Sequence, residues 1–290
     1  MTMLLMPEKP CFMLVSVTAL ITGFYLISSF IPGTENMMNL VCPLGSSEQS
    51  SSSSISDMPL SPSSIISAEI SKTILHYATN PVVPQQSKAE ISISLAVLLR
   101  RRPCNFLVFG LGNDSPMWAA FNPTGYTLFL EEDLSWYNKV MKDTPFLNAK
   151  YVKYSTKLRQ ADNLLANYRK EPKCLPKEGY VKDNRNCKLA LWNMPEEVYR
   201  REWDLIMVDA PKGYFAEAPG RMAAIWTAAI MARGRKKNGD TDVFLHDVNR
   251  RVEKGFANEF LCEKYKVNGV GRLWHFQIPK NGTTSDNSFW

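Results

Sequence analysis

The stretch Cys104-Asn-Phe-Leu-Val-Phe-Gly-Leu-Gly-Asn-Asp-Ser-Pro116 decides the fold that this sequence predicts. Phe106 to Phe109 is an apolar run rich in aromatic and β-branched residues, which favours a buried strand. The run ends at Gly110 and Gly112, and Asp114-Ser-Pro then marks a helix start, because Asp or Ser caps helices that begin with proline. A strand, a glycine turn and a helix form the first unit of a nucleotide-binding α/β sheet, where bare backbone and free N–H groups approach the ligand.

The glycine turn alone is a weak signal, since a tight turn after any core strand can have the same Gly-x-Gly spacing. A second apolar run, from Thr127 to Leu130, ends on acidic residues about 20 positions after the glycines, where nucleotide-binding sheets hold the ribose hydroxyls. The turn contains no Lys or Arg to cradle a phosphate, so the pattern favours S-adenosylmethionine over a pyrophosphate cofactor. The predicted cofactor-binding residues are Gly110, Gly112, Asn113, Glu131 and Glu132.

The rest of the chain alternates between strand and helix patterns. Helical spacing covers residues 67–79, 88–100, 135–141, 157–170, 219–235 and 252–264, and apolar runs predict strands at 149–154, 205–208, 241–245 and 271–279. Such alternation predicts an α/β fold with a doubly wound Rossmann-like sheet. Together with the S-adenosylmethionine turn predicted above, this sheet is expected to be of the class I methyltransferase type. Ligands of these sheets bind at the carboxyl ends of the strands, so the residues that follow each strand are the candidate site.

Polar residues follow the strands at 205–208 and 241–245. Asp209 ends the first strand, and His246-Asp-Val-Asn249 follows the second. A sugar hydroxyl has a very high pKa and needs a base or a metal, so Asp209, His246 and Asp247 are the candidate catalytic residues. Asp209, Asp247 and Asn249 are also candidate ligands of Mg²⁺ or Mn²⁺. Helix capping and loop hydrogen bonding explain the acids and the amide equally well, and a histidine at a strand end is more often structural.

A loop rich in glycine and proline, from Ala210 to Arg221, follows Asp209. It carries Lys212, Tyr214 and Arg221, which we predict to bind substrate because Lys212 and Arg221 can pair with a uronate carboxylate. The competing interpretation is a connecting loop or lid whose charges are solvated.

The composition is that of one full-sized domain with extensions: 290 residues, 45% of them hydrophobic, and a formal net charge of +6. The excess of base is mild and suits an acidic substrate or an anionic surface. Lys and Arg are scattered apart from Arg100–Arg102 and Arg233–Lys237, and short runs like these are usually solvated. Nucleic acid is therefore not an expected partner.

The N-terminal part predicts a membrane anchor. Residues 11–31 are 21 uncharged, mostly apolar residues, and a helix of that length measures about 32 Å, enough for a hydrocarbon core of about 30 Å. A cleaved signal peptide would have a shorter apolar core. The predicted division is a cytosolic tail at 1–10, a transmembrane signal anchor at 11–31, a disordered Ser/Pro-rich stem at 32–66, a lumenal domain at 67–279 and a polar tail at 280–290. Lys9 and the α-amino group precede the span and Glu35 follows it, which favours a single-pass type II orientation with the domain in the lumen. The span is modest in length and partly polar, which fits the early secretory membranes better than the plasma membrane.

The six cysteines include no Cys-x-x-Cys pair, so zinc is not expected. In an oxidising lumen, a disulfide between Cys174 and Cys187 would close a polar loop, and two free surface thiols are the alternative. Asn281-Gly-Thr is a glycosylation sequon in the polar tail. Asn113-Asp-Ser has the same pattern but lies in the predicted cofactor turn, so we expect it to be unused.

Five phrases of the chain together resemble the plant polysaccharide-biosynthesis family of the glucuronoxylan 4-O-methyltransferases and the irregular xylem fifteen proteins. They are Asn105-Phe-Leu-Val-Phe-Gly-Leu-Gly, Leu130-Glu-Glu-Asp, Met207-Val-Asp-Ala-Pro, Glu217-Ala-Pro-Gly-Arg-Met and His246-Asp-Val-Asn-Arg. Two further phrases, Lys212-Gly-Tyr-Phe-Ala-Glu and Gly271-Arg-Leu-Trp-His-Phe, look most like the irregular xylem fifteen branch. The resemblance implies a Golgi-anchored protein of xylan biosynthesis in the secondary cell wall.

Two functions follow from this resemblance. The first is S-adenosylmethionine-dependent O-methylation of glucuronosyl residues on xylan, with xylan or glucuronoxylan chains as the partner. The second is a non-catalytic accessory role, in which the sheet supports a xylan synthase complex. The methyltransferase branch resembles this chain except that it has His at the position of Asn113 and Thr at that of Lys212, so both functions stay open.

Overall fold

The computed structural model describes residues 62–81, 84–175 and 180–280 of the chain. The predicted cytosolic tail, the anchor at 11–31 and the sequon at Asn281 lie outside these residues and stay predictions. Of the helices that the structure describes, none is long and apolar enough to cross a membrane. The helix predicted at 67–79 begins earlier, at Pro62, and ends at Thr79 as predicted.

Seven strands and eight α-helices make up the described part of the chain. The strands are β1 (Asn105–Phe109), β2 (Tyr126–Glu131), β3 (Ala149–Tyr151), β4 (Leu205–Val208), β5 (Thr241–Leu245), β6 (Lys266–Val270) and β7 (Leu273–Ile278). The helices are α1 (Pro62–Thr79), α2 (Lys88–Arg101), α3 (Ser115–Ala120), α4 (Leu134–Asp143), α5 (Ala161–Asn167), α6 (Glu196–Arg200), α7 (Met222–Arg233) and α8 (Arg251–Phe256).

The strands form one mixed sheet in the order β3-β2-β1-β4-β5-β7-β6. β1 to β5 run parallel to one another, whereas β7 is antiparallel to β5 and pairs with β6 as a hairpin. The chain order reverses beside β1, which lies between β2 and β4, and such a switch point leaves a crevice at the carboxyl ends of the strands. The predicted Rossmann-like sheet of the methyltransferase type is confirmed.

Alternate residues of the central strands pack into two hydrophobic cores, one on each face of the sheet. In β1, Leu107 and Phe109 pack with α7, whereas Phe106 and Val108 pack with α2 and α3. Every residue of β4 is buried as well. A strand that is covered on both faces has no polar face, which explains why the central strands have continuous apolar sequences.

The sequence predicted the central elements better than those at the edges of the sheet. β6 was missed because this edge strand is largely exposed and contains Asn268 and Gly269 instead of an alternating apolar pattern. The strand predicted at 149–154 ends at Tyr151. The helix predicted at 157–170 is α-helical only over Ala161–Asn167, with 3₁₀ turns on both sides.

The predicted disulfide between Cys174 and Cys187 is confirmed. The segment that it closes is anchored to α7, because the indole N–H of Trp226 donates to the carbonyl of Cys174 at 3.2 Å. The side chain of Asn184 donates to the carbonyls of Lys173 and Tyr180, which organises the loop between the cysteines. None of these residues lines the cavity described below.

Candidate functional site

A cavity of about 480 Å³ opens at the carboxyl ends of β1, β2, β4 and β5. Ten of the predicted site residues line it: Gly110, Gly112, Asn113, Glu131, Glu132, Asp209, Lys212, Tyr214, Arg221 and Asp247. The strand ends therefore converge on one site, as the sequence predicted. His246 and Asn249 were also predicted as site residues, but they are not part of the wall.

The glycine turn after β1 brings bare backbone to the cavity. Gly110 has a φ of +134°, and a Cβ there would meet the Cβ of Ala210 at 3.3 Å, so both its conformation and its space favour glycine. The N–H of Gly112 donates to the hydroxyl of Ser115 at 2.9 Å, which ties the turn to the start of α3. The phenol of Tyr77 donates to the carbonyl of Asn113 at 2.6 Å, so α1 holds the far side of the turn.

Glu131 at the end of β2 has a buried carboxyl group in the cavity wall. It accepts hydrogen bonds from the backbone N–H groups of Leu111 at 3.2 Å and Asp133 at 2.8 Å. Burial, and then the neighbouring carboxylate of Glu132, raise the pKa of Glu131 to about 8. Glu132 reaches across the cavity, where it accepts from the backbone N–H of Lys212 at 2.9 Å.

These residues fit S-adenosylmethionine by their chemistry. A buried carboxyl group is a hydrogen-bond partner for ribose hydroxyls. An aromatic ring stands beside them, because Trp136 lines the cavity and its indole N–H donates to the carbonyl of Leu111 at 2.6 Å. The bare glycine turn, the acid and the ring together have the features of a nucleoside site.

Asp209 at the end of β4 is held from three directions. Its carboxylate accepts from Gln86 at 3.0 Å and from Nδ1 of His246 at 2.9 Å, and Arg221 lies 3.3 Å from Oδ1. Burial alone would raise the pKa of Asp209, but the hydrogen bond from His246 and the charge of Arg221 outweigh it and lower the pKa below its usual value. The side chain remains 26% exposed and lines the cavity, so Asp209 presents an oriented, ionised carboxylate to a ligand.

Arg221 was predicted to bind substrate, but the structure assigns it to the frame of the site. It donates to the carbonyls of Asp209 and His246 and lies 2.8 Å from the carboxylate of Asp247. Its side chain is only 6% exposed. Because its donors are engaged by the protein, Arg221 fixes the ends of β4 and β5 instead of contacting an acceptor.

His246 was predicted as a candidate base, and it lies behind Asp209, away from the cavity wall. It is 2% exposed, and its Nε2 has no hydrogen-bond partner among the described residues; the nearest carboxylate oxygen, on Glu90, is 3.6 Å away. A buried imidazole in this position orients Asp209 and does not reach a substrate. The structural interpretation of this histidine is therefore the better one.

The predicted metal site does not fit the arrangement of its donors. Ligand atoms of Asp209, His246 and Asp247 lie within 4.8 Å of one another, as a metal cluster requires. However, guanidinium groups of Arg221 and Arg250 already contact Oδ2 of Asp247, at 2.8 and 2.9 Å. Arg272 contacts Oδ1 at 2.9 Å, and Asn249 is exposed outside the cavity wall. The negative charge of Asp247 is therefore already balanced by arginine side chains, which occupy the oxygens that a metal ion would need.

Several residues of the wall were missed by the sequence reasoning, among them Gln86, Arg250 and Asp114. Gln86 lies in the segment before α2, which has no motif, and Arg250 ends the His246-Asp-Val-Asn-Arg phrase without having been given a role. Asp114 was read as a helix cap, yet it lines the cavity, and burial followed by the charge of Asp209 raises its pKa to about 6. Only Arg250 had a usable sequence signal, because it follows the strand whose end carries Asp247.

The sheet order, the glycine turn and the acid at the end of β2 define the class of protein: a Rossmann-like methyltransferase fold with its ligand cavity at the switch point. The profile of the IRX15/IRX15L/GXM family matches residues 89–276. The chain therefore belongs to the IRX15/IRX15L/GXM family, as its resemblance implied.

Relatives within the family correct the predicted branch. The chain is 57% identical to arabinogalactan O-methyltransferase 1 of Arabidopsis thaliana over 91% of this chain and 89% of that protein. It is 48% identical to glucuronoxylan 4-O-methyltransferase 1 of the same plant, over 76% and 77% of the two chains. Identity to the Arabidopsis protein IRREGULAR XYLEM 15 is 36%, over 81% and 72%. The prediction that the irregular xylem fifteen branch is the most similar was wrong.

Proposed function

We propose that the protein is an S-adenosylmethionine-dependent O-methyltransferase whose acceptor is a hydroxyl of a uronate-bearing plant cell-wall polysaccharide. One observation carries the proposal: the acids at the end of β2 and the ionised carboxylate of Asp209 at the end of β4 line the same cavity. The first candidate acceptor is arabinogalactan, since a relative with 57% identity is named for it.

The residues of the cavity divide the work of this reaction. When bound, S-adenosylmethionine supplies an electrophilic methyl group for the acceptor oxygen. Glu131 and the glycine turn bind and orient the nucleoside, and most of the rate gain comes from such positioning. Asp209 takes the proton of the attacking hydroxyl, because its carboxylate is ionised and faces the cavity, and Gln86 and His246 fix its plane.

Glucuronoxylan is the second candidate acceptor, in keeping with the predicted role in xylan of the secondary wall. The observation that favours it is the 48% identity to glucuronoxylan 4-O-methyltransferase 1. A non-catalytic role beside a xylan synthase complex is the remaining alternative, and a lack of methyl transfer would favour it.

The place of this reaction in the cell is a separate part of the proposal. The uncharged residues 11–31 support a single-pass type II anchor in the Golgi membrane, with the catalytic domain in the lumen. Protease protection of a C-terminal tag in sealed Golgi vesicles tests this orientation. Digestion of the tag without detergent would contradict it.

A labelled transfer assay tests the proposed activity. The full-length chain is incubated with methyl-labelled S-adenosylmethionine and, in parallel, with arabinogalactan that carries glucuronic acid and with unmethylated glucuronoxylan. We expect label on arabinogalactan with the wild type, and a rate of labelling at least about 100-fold lower with the Asp209→Asn variant. Label on glucuronoxylan alone would show that glucuronoxylan, and not arabinogalactan, is the acceptor. Absence of label on both polymers would overturn the enzymatic proposal in favour of the accessory role.

A further inference from the structure

We propose that Arg250, to which the sequence analysis gave no role, binds the uronate carboxylate of the acceptor. The inference rests on the proposed function, since it names the residue that makes the same cavity specific for an acidic sugar. Arg250 takes the role that the sequence analysis gave to Arg221, whose guanidinium is engaged inside the protein.

Arg250 has donors left over for a ligand. One terminal nitrogen lies 2.9 Å from Asp247 and the other 3.4 Å from Glu253. A guanidinium carries about five N–H groups in one plane, so these two contacts leave the other N–H groups available to a ligand. The side chain is 30% exposed and lines the cavity, and a planar fork matches a carboxylate in a bidentate arrangement.

The two buried acids behind Arg250 fix the direction of its fork. The side chain of Asp247 is 6% exposed and that of Glu253 is fully buried, so each holds one side of the guanidinium from within the protein. Arg250 therefore does not have to be ordered by the ligand, which lowers the entropic cost of binding. A side chain fixed in this way distinguishes an acidic sugar from a neutral one better than a mobile lysine would.

The loop after β4 passes directly over Arg250. A Cβ on Gly213 would lie 2.6 Å from Oε1 of Glu253 and 3.5 Å from a guanidinium nitrogen of Arg250, so the loop approaches this closely because residue 213 is glycine. Lys212 and Tyr214 flank Gly213 and line the same cavity. The acceptor side of the cavity is thus formed by Arg250 below and the Lys212–Tyr214 loop above.

Arg250 is also close to the reacting groups. Arg221 contacts the carboxylates of both Asp209 and Asp247, and Arg250 contacts the same Asp247 oxygen. By contrast, Lys212 is paired with Asp133 at 2.6 Å, and Lys139 lies over the ring of Trp136 at 5.3 Å on the side of the β2 acids. Of the cations that line the cavity within the described part of the chain, Arg250 is the one that combines free donors with a position on the Asp209 side.

The test compares Arg250→Gln with a matched control, Arg251→Gln, in the full-length chain. Arg251 is 75% exposed, pairs with Asp162 and does not line the cavity. Both variants are assayed on arabinogalactan that carries glucuronic acid and on the same polymer after its carboxyl groups are reduced to alcohols. S-adenosylmethionine binding and the melting temperature are measured in parallel, so a variant that fails to fold is recognised.

For Arg250→Gln we expect the KM of the acidic acceptor to rise at least about 10-fold, the effect of losing a charged hydrogen bond. Its kcat should change less than about threefold, and the KM of the reduced polymer should stay as in the wild type. The KM of Arg250→Lys for the acidic acceptor should lie between those of the wild type and Arg250→Gln, because lysine keeps the positive charge but has no planar pair of donors. Arg251→Gln should match the wild type throughout.

The role of Arg250 would be overturned if Arg250→Gln raised the KM equally for the acidic and the reduced polymer. It would also be overturned if Arg250→Gln and Arg251→Gln raised the KM for the acidic polymer equally. If the wild type transfers no methyl group, the proposed function fails, but calorimetric binding of glucuronosyl oligosaccharides still decides this inference. Binding of the acidic oligosaccharide that weakens in Arg250→Gln supports the inference, and binding that is unchanged contradicts it.

Discussion

The cavity has two halves, which we call the cofactor half and the acceptor half after their proposed roles, and the pKa of a carboxyl group is shifted in opposite directions in the two. In the cofactor half, at the ends of β1 and β2, Glu131 is buried beside another acid, and its pKa is raised to about 8. In the acceptor half, at the ends of β4 and β5, Asp209 is contacted by His246 and Arg221, and its pKa is lowered. Carboxyl groups with pKa values pushed apart in this way serve different roles in one site.

The contrast teaches that the environment of each acid, and not its position at a strand end, determines its function. Both acids follow a parallel strand and both line the cavity. Only the acid of the acceptor half has an arginine and a histidine ring nitrogen beside it, which keep it ionised and available to accept a proton. The acid of the cofactor half is suited to hydrogen bonding with hydroxyl groups.

The largest expected effect comes from the acceptor half. Asp209→Asn keeps the shape of the side chain and removes its ability to take a proton, so kcat should fall about 10²- to 10⁴-fold. The Kd of S-adenosylmethionine should change less than about threefold if the halves are separate. Asp162→Asn, at an exposed ion pair, is the control. A loss of activity below 10-fold would show that Asp209 is not the base.

A smaller effect is expected at Gln86, which orients that base. Gln86→Leu removes the hydrogen bond to Oδ2 of Asp209, and one such bond is worth about 1 to 3 kcal/mol when it reaches a charged group. We expect kcat to fall about 5- to 50-fold, with the cofactor Kd unchanged. Gln277→Leu, on the exposed face of β7, should leave kcat as in the wild type. If both glutamine variants behave alike, the orienting role is wrong.

The smallest effect concerns stability in the cofactor half. A carboxyl whose pKa is raised on folding contributes stability at low pH, and that contribution is lost as the pH rises towards about 8. Glu131→Gln has no such proton to lose. Its melting temperature relative to the wild type should therefore increase by a few degrees between pH 6 and pH 9. A difference that is independent of pH, or that changes in the other direction, would show that Glu131 is not a high-pKa acid.

The sequence predicted the frame of the site because strand ends in a parallel sheet meet by topology. Gly110, Glu131 and Asp209 each end an apolar run, and their convergence needs only the order of the strands. The disulfide between Cys174 and Cys187 was accessible for a similar reason, since it closes a short local loop.

The separate roles of Arg221, Arg250 and His246 could not be predicted from the sequence. Arg221 and Arg250 look equivalent in the sequence, and both line the cavity. Only the packing shows that Arg221 is engaged by backbone carbonyls, whereas the side chain of Arg250 is 30% exposed. His246 likewise needed the position of Asp209 to be recognised as an orienting residue. Gln86 had no sequence signal, because its contact with Asp209 spans 123 positions of the chain.

The branch of the family was misread for a different reason. Short phrases such as Gly271-Arg-Leu-Trp-His-Phe were weighed more heavily than the chain as a whole. This phrase begins in the tight turn between β6 and β7, where Gly271 has a φ of +55° and a Cβ would meet Glu90 at 2.7 Å. Such a constraint reports on packing of the fold and not on the acceptor.

The most direct test of the two-halved cavity is a calorimetric titration of S-adenosylmethionine into the full-length wild type, Glu131→Ala and Arg250→Gln. The account predicts that the wild type binds, that Glu131→Ala binds at least about 10-fold more weakly because it loses hydrogen bonds to a carboxyl group, and that Arg250→Gln binds as the wild type does. No binding by the wild type, or equal weakening in the two variants, would contradict it.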